Sequence, residues 1–128
     1  MVNRDRGTVD RKSLPASMRV VNLKEGMPLV RDAMSRMQRE LRRAANDGVK
    51  VVKFVHGYGS TGVGGEIRIA VQIGLKKRLS QGELKTVIYG EEWRISNEVA
   101  WELLKQMPEL KHDSDLGREN KGITLVVL

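Results

Sequence analysis

Cysteine is absent from this 128-residue chain, proline occurs three times, and aromatic side chains make up only 4%. Without cysteine there is no disulfide framework, no thiolate metal site and no thiol nucleophile. So few rings argue against a base-stacking platform built from several exposed aromatics. No apolar run approaches the ~18 residues that a membrane-spanning helix requires. The opening MVNRDRGTVDRKS is of mixed charge and lacks the apolar segment of a secretory signal. The expectation is a soluble, cytoplasmic protein without a membrane partner.

Charge is what the chain has in excess. Twenty-three lysines and arginines oppose 16 acids, a net charge of +7, and the pI lies near 10.0. That balance is a candidate footprint for nucleic acid or another polyanion, although it says nothing about fold. The length suits one domain that buries a core of its own.

Residues 1–16 carry little apolar pattern and read as a flexible basic arm, with a single domain over 17–128. MRVVNL, 18–23, reads as a short strand, and Lys24, Glu25 and Gly26 turn the chain. Pro28 suits a first helical position. From Met27 to about Asn46, Val30, Met34, Met37, Leu41 and Ala44 recur at three- and four-residue steps, one stripe of a helix. Gly48 ends it, and VKVVKFV, 49–55, is apolar enough for an interior strand. A second helix carries Ile67, Val71, Gly74, Leu75 and Leu79 and stops at Gly82. LKTVIYG, 84–90, is a third strand. A third helix, about Asn97 to Met107, has Ser96 as its expected N-cap, Val99, Leu103, Leu104 and Met107 as its apolar positions and Pro108 beyond its end. ITLVVL closes the chain. The order βαβαβ(α)β predicts an α/β fold, a two-layer sandwich with a small mixed sheet of about four strands packed with helices.

Between the second strand and second helix stands HGYGSTGVGG, with Gly57, Gly59, Gly62, Gly64 and Gly65. Gly57, Gly59 and Gly62 spell a dinucleotide fingerprint, but the next acid at a strand end, Glu91, lies 29 residues past Gly62, where that motif wants about 20. A nucleoside-triphosphate loop fails too, because Gly65 is followed by Glu66 and Ile67 rather than a lysine and a hydroxyl. What survives is the physics both share: glycines at a helix N-terminus let several N–H groups converge on one anion, and Ser60 and Thr61 can add hydroxyls.

His56 has two readings, a strand-end cap that hydrogen-bonds backbone or a general acid–base beside an anion cradle. Tyr58, between two glycines, can stack on a base or lie against the helix. Trp93 and Trp101 suit packing anchors better than a nucleotide platform. His112, Asp113, Ser114, Asp115 and Glu119 offer oxygen and nitrogen ligands, yet such residues in a loop are more often turn formers. The arginines of the first helix suit a solvated face.

H-G-x-G, then T-G, then an apolar–Arg pair, with a closing strand like GITLVVL, resembles the Smr (small MutS-related) domain. The residues are His56, Gly57, Gly59, Thr61, Gly62, Ile67 and Arg68, and the element order agrees from about Met18 to Leu128. The resemblance implies an α/β sandwich that binds DNA or RNA and, in many members, nicks or cleaves it. The family's L-D-x-H-G at the end of the first strand is replaced: Asn22 stands at the acid and Lys24 at the histidine. Neither is a proton shuttle at neutral pH without a large pKa shift, although lysine can hold a phosphate. Ser60 is extra in the loop, three more residues precede Ile67–Arg68, and the 97–107 helix enlarges a connection usually short.

The sequence therefore supports a nucleic-acid-binding Smr-like domain. Its expected nucleic-acid and phosphate contacts are Lys24, Gly57, Tyr58, Gly59, Ser60, Thr61, Gly62, Gly64, Gly65 and Arg68. An active endonuclease would use His56 as catalytic residue and could call on a divalent metal; no other cofactor or metal site is expected. The third reading is a protein-interaction adaptor that binds no nucleic acid.

Overall fold

The computed structural model describes residues 18–59 and 63–128. The arm at 1–16 and loop residues Ser60, Thr61 and Gly62 lie outside the described residues. Strand β1, Met18–Asn22, leads to helix α1, Val30–Asn46, and then to β2, Val51–Val55. Helix α2, Val63–Ser80, and strand β3, Thr86–Tyr89, follow. A 3₁₀ turn at Gly90–Glu92, helix α3, Glu98–Gln106, and a second 3₁₀ turn at Pro108–His112 precede β4, Ile123–Val127.

The four strands form one mixed sheet in the order β1-β2-β4-β3. β1 and β2 are parallel, with Asn22 opposite Val55, and β4 runs antiparallel to both β2 and β3. The last strand in sequence is thus inserted between the second and third. That insertion explains why β2 and β4 read as nearly continuous apolar runs, since both are interior and covered on two faces. The expected α/β architecture is observed, with a mixed four-stranded sheet packed by three helices.

Alternation along the strands divides the core by face. Val52, Phe54 and Val126 meet Ala33, Met37, Leu41 and Ala44 of α1 and Ile67, Val71 and Leu75 of α2. Val51, Ile88, Ile123 and Leu125 point the other way, onto Trp93 and onto Ala100, Leu103 and Leu104 of α3. The two long helices therefore share one face, and the enlarged 93–116 connection covers the other. α1 and α2 approach closely at Gly74, where a Cβ would lie 2.8 Å from Met34 Cε.

The helix ends differ from expectation in small ways. α1 begins at Val30 with Leu29 as N-cap, so Pro28 precedes the helix rather than opening it. α3 is capped by Asn97, whose Oδ1 accepts from Ala100 N at 3.0 Å, while Ser96 Oγ accepts from Arg94 Nε. Asparagine suits that position as well as serine does, so neighbouring candidates are decided by the chain's entry angle. Val99 is 48% exposed and Leu79 37%, because each lies at the border of its helix's apolar stripe. Trp93 is fully buried as an anchor, whereas Trp101 is 39% exposed with Lys111 Nζ 5.6 Å from its ring centroid.

Candidate functional site: a glycine-floored cleft

The site forms where the parallel strands β1 and β2 end and β4 begins. Leu23 N donates to Val55 O at 2.7 Å, which extends the β1–β2 pairing and delivers Lys24 beside the glycine loop. Lys24 N in turn donates to Asn22 Oδ1 at 2.9 Å, so Asn22 closes the turn with its side chain. Such a local bond is the usual work of asparagine after a strand. On β2 the chain turns at Gly57, whose φ of +74° lies in the left-handed region that favours glycine. The N–H groups of His56 and Gly57 both donate to Gly122 O, at 2.9 and 3.0 Å.

A cleft of about 540 Å³ opens there, lined by Lys24, Val55, Gly57, Tyr58, Gly59, Asn120 and Gly122. Tyr58 is 55% exposed, and Lys24 is exposed. A Cβ on Gly122 would lie 3.4 Å from Tyr58 Cδ1 and 3.4 Å from Gly57 Cα, so the edge of the tyrosine ring faces the turn before β4 with room for about one methyl group between them. A Cβ on Gly65 would lie 3.2 Å from Gly59 O. This is the close approach that the glycine-rich stretch serves: it brings the first turn of α2 against the loop backbone.

His56 is fully buried beneath this loop, on the face shared with α2. Its Nδ1 lies 2.6 Å from Gly57 O and its Nε2 2.9 Å from Thr124 Oγ1. A carbonyl only accepts, which assigns the proton to Nδ1; Nε2 then accepts from the Thr124 hydroxyl. Burial lowers the His56 pKa, and the nearby Arg68 charge lowers it further. The Gly57 carbonyl, Glu91 and the backbone at Ile123 oppose the shift. Of the two roles the sequence left open for His56, these contacts are those of the cap.

Arg68 leaves α2 toward the end of β3 and pairs with Glu91 at 3.3 Å. It is not among the described residues that line the cleft. Arg68 Nε, Gln72 Nε2 and Glu91 Oε1 are buried without a hydrogen-bond partner among the described residues. Gly64 falls in the first turn of α2.

Asp113 and Asp115 hold an ammonium. Lys53, 4% exposed in the centre of β2, donates to Asp113 Oδ1 and to Asp115 Oδ2, each at 2.6 Å. Trp93 Nε1 donates to Asp113 Oδ2 at 2.9 Å, and Asn120 Nδ2 to Asp115 Oδ1 at 2.9 Å. Asn120 Oδ1 accepts from Gly122 N at 2.8 Å. For Asp115, burial raises the carboxyl pKa, but the bonds from Asn120 and Lys53 overcome it and hold the group below its usual value. No group of three or more metal-ligating side chains occurs among the described residues. A chain of bonds thus runs from a buried lysine to the glycine loop. Val55, Asn120 and Gly122 were not singled out from the sequence; the Asn-Lys-Gly turn before β4 was the available signal, and its place depends on strand order.

Fold and site together define an α/β domain with a basic, glycine-floored cleft at the strand ends. No protein-family model matches the chain, and no curated protein matches it in sequence. Among solved structures it is similar to the crystal structure of the Smr domain of Thermus thermophilus MutS2. The TM-score is 0.53 at 18% identity, over 86% of this chain and 96% of that one. The likeness is one of fold: the domain is Smr-like in architecture. No helix among the described residues is long and apolar enough to cross a membrane.

Proposed function

We propose that this domain binds nucleic acid through the cleft, with Lys24 and the backbone N–H groups of the glycine loop holding phosphate. The observation that carries the reading is the placement of exposed Lys24 and Tyr58 on one cleft floored by Gly57, Gly59 and Gly122. A cation, a ring and an accessible backbone are the three parts that a strand of phosphodiester and base requires. The net charge of +7 and the likeness to the Smr fold support it.

Binding without cleavage is the favoured form. Catalysis by His56 would need an imidazole nitrogen within reach of the phosphodiester, and both nitrogens are committed to Thr124 and Gly57. Asn22, at the place of the family's acid, spends its carbonyl oxygen on Lys24 N. Lys24 supplies charge, and the Arg68 charge is shared with Glu91.

The test is fluorescence anisotropy of labelled DNA and RNA across a salt series. Saturable binding that weakens with salt is expected, and Lys24→Ala should lower the slope by about 0.7–0.9, one phosphate contact. No salt-sensitive binding to any probe would reject the proposal and leave a protein-interaction adaptor. The same probes, run on denaturing gels with Mg²⁺ or Mn²⁺, address the endonuclease. Cleavage lost in a folded His56 variant would put that reading first.

A further inference from the structure

We infer that the cleft selects unpaired bases: its ligand is a single-stranded segment with one base lying on the Tyr58 ring, held by its face rather than its edge. This inference rests on the nucleic-acid reading above and goes further, to the class of strand. Three features carry it.

Tyr58 is more than half exposed, and one edge of its ring faces Gly122 across a space that a single methyl group would fill. An aromatic open to solvent gives a base a ready stacking face. In a duplex the base faces are already stacked inside and cannot reach it. The cleft volume of about 540 Å³ falls within the ~300–1,000 Å³ typical of sites for one small molecule. That is room for a single nucleotide unit.

The polar groups around the ring decide the rest. Asn120 is the only amide side chain among the described residues lining the cleft, and both ends of it are taken by Asp115 and Gly122. One Nδ2 hydrogen and one Oδ1 lone pair remain, but the two bonds fix the amide plane, so the side chain cannot turn to suit different base edges. Lys24 forms no ion pair among the described residues, and its charge is available to the phosphate next to the stacked base. The cleft thus reads "unpaired" rather than a sequence. A single ring suffices for this, whereas a multi-ring platform is what the low aromatic content argues against.

The test compares four labelled probes of equal length in one buffer: a uridine RNA, a thymidine DNA, an abasic strand with the same phosphates, and a duplex. The uridine or thymidine strand should bind roughly 5- to 160-fold tighter than the abasic strand, the range expected of one base–aromatic contact, and tighter than the duplex. Tyr58→Ala should abolish the preference for that strand over the abasic one. Tyr58→Phe should keep the preference. Equal affinity for abasic and base-bearing strands, or a duplex bound as tightly as the single strands, would overturn the inference while leaving phosphate binding intact. Absence of salt-sensitive binding to all four, the abasic strand included, would instead remove the nucleic-acid reading. Because the probe comparison uses the unaltered protein, it decides the matter even where a variant fails to fold.

Discussion

Truncating His56 to alanine separates a structural imidazole from a catalytic one. The ring is fully buried and bridges Gly57 O and Thr124 Oγ1. Its removal leaves a cavity and strips the fully buried Thr124 hydroxyl of its side-chain partner. Truncation of a large buried ring costs about 3–5 kcal/mol for an aromatic hydrocarbon, and a stranded hydroxyl about 1–3 kcal/mol. The imidazole is smaller than phenylalanine, and its own desolvation is relieved, so the net loss should be about 3 kcal/mol. With a urea slope of about 2 kcal/mol/M, the unfolding midpoint should fall by roughly 1.5 M. The pH profile gives a second readout. Burial holds the folded-state pKa below the ordinary 6.5, so the unfolded chain takes up the proton first. The stability His56 contributes is therefore complete above about pH 6.5. It is lost as pH falls from there toward the lowered folded value, at no more than about 1.4 kcal/mol per pH unit. Urea melts at pH 7.5, 6.5 and 5.5 should show this decline in the wild type and a shallower one in His56→Ala. A midpoint within 0.3 M of wild type, with an unchanged pH profile, would refute the structural role.

Lys53→Met should cost about 3 kcal/mol, the low end for breaking a buried pair, because Asp113 keeps Trp93 and Asp115 keeps Asn120. Urea melts check this, and adding Asp113→Asn should recover part of the loss; a neutral Lys53→Met would deny the buried ion pair its role. Gly90→Ala should lose more than about 3 kcal/mol by the overpacking route, since its Cβ would sit 1.7 Å from the backbone oxygen of Asn120. An unchanged melting temperature would mean that the Gly90–Asn120 approach is wrong. Gly74→Ala should be nearly neutral. The clash at 2.8 Å is with the flexible end of Met34, and it offsets the helix-propensity gain of about 1 kcal/mol. A loss above about 2 kcal/mol would show that Met34 has nowhere to go.

Local chemistry made most of the elements readable. The stripe from Val30 to Ala44, the left-handed stop at Gly48, the apolar run at 51–55 and the glycine cluster at 57–65 are properties of neighbours in the chain. Their elements formed within a few residues of the expected bounds. The continuous apolar character of 49–55 also marked that strand as interior, because a strand covered on both faces must be apolar on both. What it could not give is which strands are neighbours. The insertion of β4 between β2 and β3 brings Thr124 to His56, 68 positions away, and Asn120 and Gly122 to the loop. A histidine at a strand end is an open acid–base group or a buried cap according to what crosses over it, and only the sheet order supplied the hydroxyl that caps this one. Lys53 taught the same lesson from the opposite side. In sequence it interrupts an apolar run, and Asp113 and Asp115 read as turn formers in a loop, with metal ligation the lesser reading. Packing the enlarged connection onto the back of the sheet joined them, because a buried ammonium must be paired and hydrogen-bonded, and this fold brings two carboxylates within its reach. The elements were local and so were written locally. The site is a set of contacts across the sheet, and those exist only once the strands are in order.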